Sequence, residues 1–170
     1  SGKTFTMSII LKMLQQVHWA NKSKMMPRLL APTGKAAKVL QKSVKMDAMT
    51  IHRALRPEGH HFNINKSNPL EENVIVVDES SMLDTELANA LLESIKTGSK
   101  LIFLGDTNQI PSIGAGAVLK DLITSKVGNL VTLTVPKRQK EGSLIYLNTE
   151  RILSGLVPEI DNQSSYIIPT

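Results

Sequence analysis

Four short apolar runs punctuate the chain: Arg28-Leu-Leu-Ala31, Val74-Ile-Val-Val77, Leu101-Ile-Phe-Leu104 and Leu130-Val-Thr-Leu-Thr-Val135. As a set they lack the regular polar alternation of strands with one wet face, which predicts strands covered on both sides, as in a parallel sheet. Between them apolar residues return at helical spacing: Ile9, Ile10, Met13, Leu14 and Val17; Leu87, Leu91 and Ile95; Val118, Leu119, Leu122 and Ile123. Asp84 suits the N-cap of the second helix, and Gly98 sits where that helix is expected to end. This alternation predicts an α/β domain with right-handed crossovers. Residues 56–70, RPEGHHFNINKSNPL, break the pattern with prolines, a glycine and asparagines, and read as a small hairpin excursion. The tail from Gly155 reads as a helix stop, a linker and one short strand.

In open α/β sheets ligands bind beyond the carboxyl ends of the strands. The polar clusters fall there. The four runs lead into Pro32-Thr33-Gly34-Lys35, Asp78-Glu79-Ser80, Gly105-Asp106 and Pro136-Lys137-Arg138-Gln139, so all four strand ends turn polar or charged groups to one edge.

Composition narrows the class. At 170 residues and 41% hydrophobic the chain suits one domain with a substantial core. The absence of cysteine excludes a disulfide framework and a thiolate zinc site, and His60 and His61 read as surface residues without acidic partners at metal spacing. No apolar run approaches the length of a membrane helix, and SGKTFTMSII lacks a signal-peptide pattern; the expected setting is cytoplasmic, with no membrane. The formal net charge of +5 hides an asymmetry, because Lys3 to Lys45 include nine basic residues while no Asp or Glu precedes Asp47. Such a segment fits a face that meets polyanions, nucleotide or nucleic acid. A solvated lysine-rich helix face is the plainer reading of the same residues.

The chemistry at the strand ends is specific. Gly2-Lys3-Thr4 has the form of the end of a phosphate loop, where Lys neutralises β- and γ-phosphates and the hydroxyl ligates magnesium, and it stands before an amphipathic helix whose N-terminus favours anions. Asp78, at the end of an apolar strand, suits a metal or its waters, and Glu79 beside it suits activation of an attacking water. A capped strand-to-helix turn would use the same residues. Gln109 is placed to bond a γ-phosphate and the attacking water, and Arg138 to stabilise charge developing on that phosphate. Thr33, Gly34 and Lys35 bring a hydroxyl, a backbone N–H and an ammonium to one anion, either nucleotide or a nucleic-acid phosphate. His52, in Thr50-Ile-His-Arg53, is either a packing histidine or part of the same track. Trp19 reads as core or edge packing.

SGKT, LAPTGKAAKVL, TIHRAL, VIVVDESSMLDTEL, LIFLGDTNQIPSIGAGAVLKDLI and RQKEGSLIYLNTERILSG stand in the order and spacing of the RecD-like group of superfamily 1 helicases, which includes the exodeoxyribonuclease V alpha subunit, and the chain resembles that group from residue 1 to about 160. The resemblance implies a RecA-like P-loop NTPase domain: a parallel sheet flanked by helices, with a small hairpin-like insertion at about 56–70 and residues 161–170 as a linker toward a second motor domain. It implies ATP and Mg2+ as cofactors and a motor moving 5′ to 3′ on single-stranded DNA in repair and recombination, with other subunits of a recombination nuclease complex as further partners. Carried over by motif, Gly2, Lys3 and Thr4 hold phosphate and, through Thr4, the metal; Asp78 holds the metal; Glu79 is catalytic; Gln109 and Arg138 reach the γ-phosphate; Thr33, Gly34, Lys35 and His52 touch DNA. Lys137 stands where the group usually has an aromatic residue.

The same resemblance sets two expectations about completeness. The chain is expected to be the first motor domain cut at both ends, hydrolysing ATP poorly by itself; a non-catalytic remnant that binds nucleic acid is the alternative. The strand leading into the phosphate loop is expected to lie beside the strand ending in Asp78. Its slot would then be filled by a partner chain, by residues near Ser1 or by Ser165-Tyr-Ile-Ile168, or would leave the chain marginally stable.

Overall fold

The computed structural model describes residues 2–20, 26–59, 61–133 and 144–159. The chain divides into two compact units, residues 3–131 and residues 132–170 with 1–2.

The larger unit is built on a four-stranded parallel sheet. Its strands are β1 (Pro27–Ala31), β2 (Ala48–Thr50), β5 (Val74–Val77) and β6 (Lys100–Phe103), in the order β2-β1-β5-β6. All four residues of β5 are buried, as their uninterrupted apolar run predicts for a central strand. Their alternation divides the core. Val74 and Val76 face one cluster with Leu29, with Met7 and Leu11 of α1 (Gly2–Ala20), and with Leu40 of α2 (Gly34–Val44). Ile75 and Val77 face the other, with Leu30, Ile51 and Leu55 of α3 (Ile51–Leu55), and Leu87 and Leu91 of α4 (Thr85–Glu93). Helices therefore cover both faces of the sheet, and the P-loop NTPase architecture expected from the sequence is present.

Each crossover opens with a polar cap. Thr33 accepts from Ala36 N–H at 3.2 Å, Thr50 from Arg53 N–H at 3.1 Å and Asp84 from Leu87 N–H at 2.8 Å, each cap residue being extended. Within residues 56–70, β3 (Pro57–Glu58) and β4 (His61–Phe62) pair antiparallel as a short hairpin. A short 3-10 turn, Ser80–Met82, joins β5 to α4, and α5 (Val118–Ser125) follows β6.

Four expectations change. β5 pairs on one side with β1 and on the other with β6, so no open slot adjoins the Asp78 strand; the outer strands of this sheet are β2 and β6. Residues 130–133 of the expected fourth strand are irregular and exposed, since β-branched residues make a strand only where a ladder receives them, and none does among the described residues. Its last two residues, and the expected strand at 165–168, lie outside the described residues. α4 stops at Glu93, before Gly98, because Ser94 turns its hydroxyl onto Leu91 O at 2.7 Å and its N–H reaches back to Ala90 and Leu91. On α1 the buried residues are Met7 and Leu11, with Ile10 and Leu14 packed against their cluster; Ile9, Met13 and Val17 are exposed.

In the smaller unit, α6 (Leu144–Leu153) ends before Gly155, whose φ is +75°. Asn148 holds the backbone of Glu159 with two hydrogen bonds of 2.6 Å, folding the following segment back on the helix.

Candidate nucleotide and nucleic-acid site

Because the strands are parallel, their carboxyl ends form one row in sheet order: Thr50 closing β2 with His52 beyond it, Thr33 to Lys35 after β1, Asp78 and Glu79 after β5, Gly105 to Gln109 after β6. The row has an acidic and amide half and a basic half.

In the acidic half, Asp78 is 5% exposed. Its N–H bonds Leu30 O at 2.9 Å, and its Oδ1 accepts the Glu79 N–H at 2.9 Å. Burial raises its carboxyl above the ordinary value near 3.8, and the Glu79 N–H and the positive charge of Lys3 offset part of that rise. Glu79 adopts a left-handed backbone, φ +52° and ψ +39°, and its Oε2 is buried with no hydrogen-bond partner among the described residues. An unpaired buried carboxylate oxygen in a strained backbone is costly, which is the usual mark of a group held for chemistry.

The ends of β5 and β6 are tied together through Ser80, whose N–H and hydroxyl both bond Leu104 O at 2.8 Å. Gly105 allows a close approach at this junction: a Cβ there would stand 2.4 Å from Leu119 Cδ2 and 2.8 Å from Ser80 Oγ, so those side chains would have to shift. Asp106 then opens a turn: its carbonyl accepts Gln109 N–H and its Oδ1 accepts Asn108 N–H, both at 3.1 Å. Gln109 is exposed and lines a recess of about 60 Å³ with Ser81, Thr107 and Leu119. The first turn of α1 reaches this end of the sheet, with Lys3 Nζ 3.6 Å from Asp106 Oδ2. Gly2, Lys3 and Thr4 thus lie at the start of α1, where the helix dipole favours an anion. Arg138 lies outside the described residues.

In the basic half, Gly34 and Lys35 are exposed at the start of α2. Thr33 spends its oxygen on the helix cap, leaving its O–H as a donor. His52 is exposed, with its ring centroid 6.1 Å from that of Phe62 in the hairpin, so the excursion packs on this half of the row.

Sequence reasoning placed Asp106 at a strand end but gave it no partner, and it assigned no role to the glycines that follow it. Thr85 N–H bonds Ala115 O at 3.0 Å, and Ser112 Oγ bonds Gly114 O and Gly116 O at 2.9 and 2.8 Å, so the segment after Gln109 is knotted against the start of α4. The available signal was the run Gly-Ala-Gly, which demands a close approach that composition alone does not locate.

Among the described residues no group of three or more His, Asp or Glu gathers to hold a metal. Mg2+ seldom needs one, being bound through one or two carboxylates together with phosphate oxygens. A nearly buried Asp78 beside the unpartnered Glu79 oxygen fits that donor set. Asp78 also makes a stability prediction. Its raised folded-state value means that its contribution is fully present below the ordinary carboxylate value and is lost as pH rises through the raised one. Asp78→Asn is therefore expected to raise the melting temperature at neutral pH, with the gain vanishing under acid conditions; melts of both proteins across pH check this.

A parallel sheet covered on both faces, with a phosphate-type helix start and an acidic strand end on one edge, defines a P-loop NTPase domain. Residues 1–164 match the AAA domain family, and the chain belongs to it. It is similar to the RecBCD enzyme subunit RecD of Mycobacterium tuberculosis (strain CDC 1551 / Oshkosh), 37% identical over 141 residues, with 72% of this chain and 24% of that protein covered. It is also similar to the ATP-dependent RecD2 DNA helicase of Deinococcus radiodurans, 33% identical over 130 residues, 76% of this chain and 18% of that one. The chain thus spans about a quarter or less of the length of these curated relatives. Among solved structures, one of Pif1 helicases at forked double-stranded DNA shares the fold, with a TM-score of 0.58 at 18% identity over 92% of this chain and 42% of that one. No helix among the described residues is long and apolar enough to cross a membrane.

Proposed function

We propose that the chain is an ATP-binding and ATP-hydrolysing motor domain of a RecD-like 5′ to 3′ DNA helicase acting in repair or recombination in the cytoplasm. Residues 1–160 form the domain, about 56–70 its insertion, and 161–170 lead toward a second motor domain. The observation that carries this reading is the row of strand ends, where an acidic half built on Asp78 and Glu79 adjoins a basic half built on Lys35 and His52 in one sheet.

In this reading Lys3 and the backbone N–H groups at the start of α1 hold the β- and γ-phosphates of ATP. Asp78, with Thr4, holds Mg2+, which when bound neutralises charge on the phosphate oxygens. Glu79 takes a proton from the attacking water, Gln109 aligns that water with the γ-phosphate, and Arg138 balances the charge that develops there. Thr33, Gly34, Lys35 and His52 bind the backbone of single-stranded DNA without reading its bases. Other subunits of a recombination nuclease complex are the further partners; the RecD name of its relatives supports that.

The test is hydrolysis of ATP by the purified full-length protein with and without single-stranded DNA, together with unwinding of duplexes carrying a 5′ or a 3′ tail. Stimulation by DNA and preference for the 5′ tail are expected; DNA-independent turnover, or none at all, would remove the motor reading. Binding to single-stranded DNA should weaken steeply with salt, and Lys35→Ala should weaken it about equally across sequences, lowering the salt slope by about one counterion. Fluorescence anisotropy at several salt concentrations checks this.

A further inference from the structure

We propose that Asp106 sets nucleotide affinity by competing with phosphate for the ammonium of Lys3. The inference rests on the phosphate-site reading of Lys3 and goes beyond it by giving that lysine a second partner.

Lys3 Nζ lies 3.6 Å from Asp106 Oδ2, and among the described residues this is the ion pair of each. The Lys3 side chain is 16% exposed and that of Asp106 is 40% exposed, so the lysine is held near the sheet edge while the carboxylate keeps one flank in water. An ammonium that turns to a phosphate must give up part of this contact. The carboxylate can bear the loss, because water reaches it and its Oδ1 keeps the Asn108 N–H at 3.1 Å. Asp78 is different: it is almost completely buried and its Oδ1 is committed to the Glu79 N–H. Of the two carboxylates at this end of the sheet, the better-solvated one is the partner that Lys3 holds, and it is the one that can give way. The release falls on the turn that carries Gln109, since Gln109 N–H is bonded to Asp106 O.

Asp106→Asn isolates the charge. The amide keeps an oxygen where Oδ1 accepts the Asn108 N–H and removes only the attraction for Lys3. Binding of Mg2+ with mant-ATP is measured on the purified full-length protein, its Lys3→Met and Asp106→Asn variants and the double variant, with thermal melts to show that all four are folded. For a partly exposed ion pair, Asp106→Asn is expected to tighten binding about two- to five-fold. In the Lys3→Met background the same change should have no such effect, because the competition has no lysine to act on. Equal or weaker binding by Asp106→Asn in the presence of Lys3 overturns the inference, the weaker case making Asp106 part of the nucleotide set. Lys3→Met binding as tightly as the unaltered protein would instead remove the phosphate-site reading itself, and this inference with it.

Discussion

Glu79→Gln is expected to lower the rate of ATP hydrolysis by about 10²- to 10⁴-fold while nucleotide binding stays within a small factor of the unaltered protein. Glutamine matches the carboxylate in size and can sit in the same left-handed backbone at the same cost, so the fold has no reason to change. What is lost is the basic oxygen. Oε2 is buried without a hydrogen-bond partner among the described residues, which suits the proton acceptor of the proposed reading. An amide in its place is a poor base. Single-turnover hydrolysis beside a binding titration separates the two effects. Unchanged hydrolysis would return Glu79 to the role of a strained turn residue, and lost binding would make its charge part of the nucleotide cradle.

Gly116→Ala should be the most damaging small substitution in the sheet edge. Its φ of +97° is a conformation that L residues rarely adopt, and a Cβ there would stand 2.0 Å from Thr85 Oγ1 and 3.3 Å from Thr85 Cβ. Backbone strain of about 1–2 kcal/mol adds to an overpacking cost of about 1–3 kcal/mol, and both fall on the segment that carries Gln109. Gly128 supplies the control: its φ is +88°, but a Cβ there meets nothing within 4 Å, so Gly128→Ala carries the strain alone. Denaturant melts should show Gly116→Ala as the less stable of the two, and adding Thr85→Ala should recover part of the difference. Equal losses in the two alanine variants would mean that the contact with Thr85 yields freely.

The parts of this fold that were legible in the sequence are those where one local pattern has one outcome. Val74 to Val77 followed by Asp78-Glu79 could hardly be other than a buried strand ending in charge, and Asp84 before an apolar helix announced its cap. Legibility failed where a residue's role depends on what arrives from elsewhere. On α1, Ile9, Met13 and Val17 repeat at helical spacing just as Met7, Leu11 and Leu14 do, and only the position of the sheet selects between the stripes. Ser94 ends α4 through hydrogen bonds that any serine can make and few do at that position. Leu130 to Leu133 have strand-forming residues without a ladder among the described residues. At the site, the acidic pair was readable from local order, whereas the pairing of Asp106 with Lys3 joins positions about a hundred residues apart in the chain.

The order β2-β1-β5-β6 also governs how the chain reaches this state. β1, α2 and β2 close through residues 32–47, and β5, α4 and β6 through residues 78–99; the seam between β1 and β5 must wait for the whole of 32–73 to be looped out. Loop-closure entropy therefore favours two short crossovers forming early and their junction forming late. One crossover carries the basic strand ends, the other the acidic ones. The step that commits the chain to its native topology is then the same step that first brings the two chemistries together, and a chain stalled before it would hold two half-sheets, each with a bare edge open to the wrong partner.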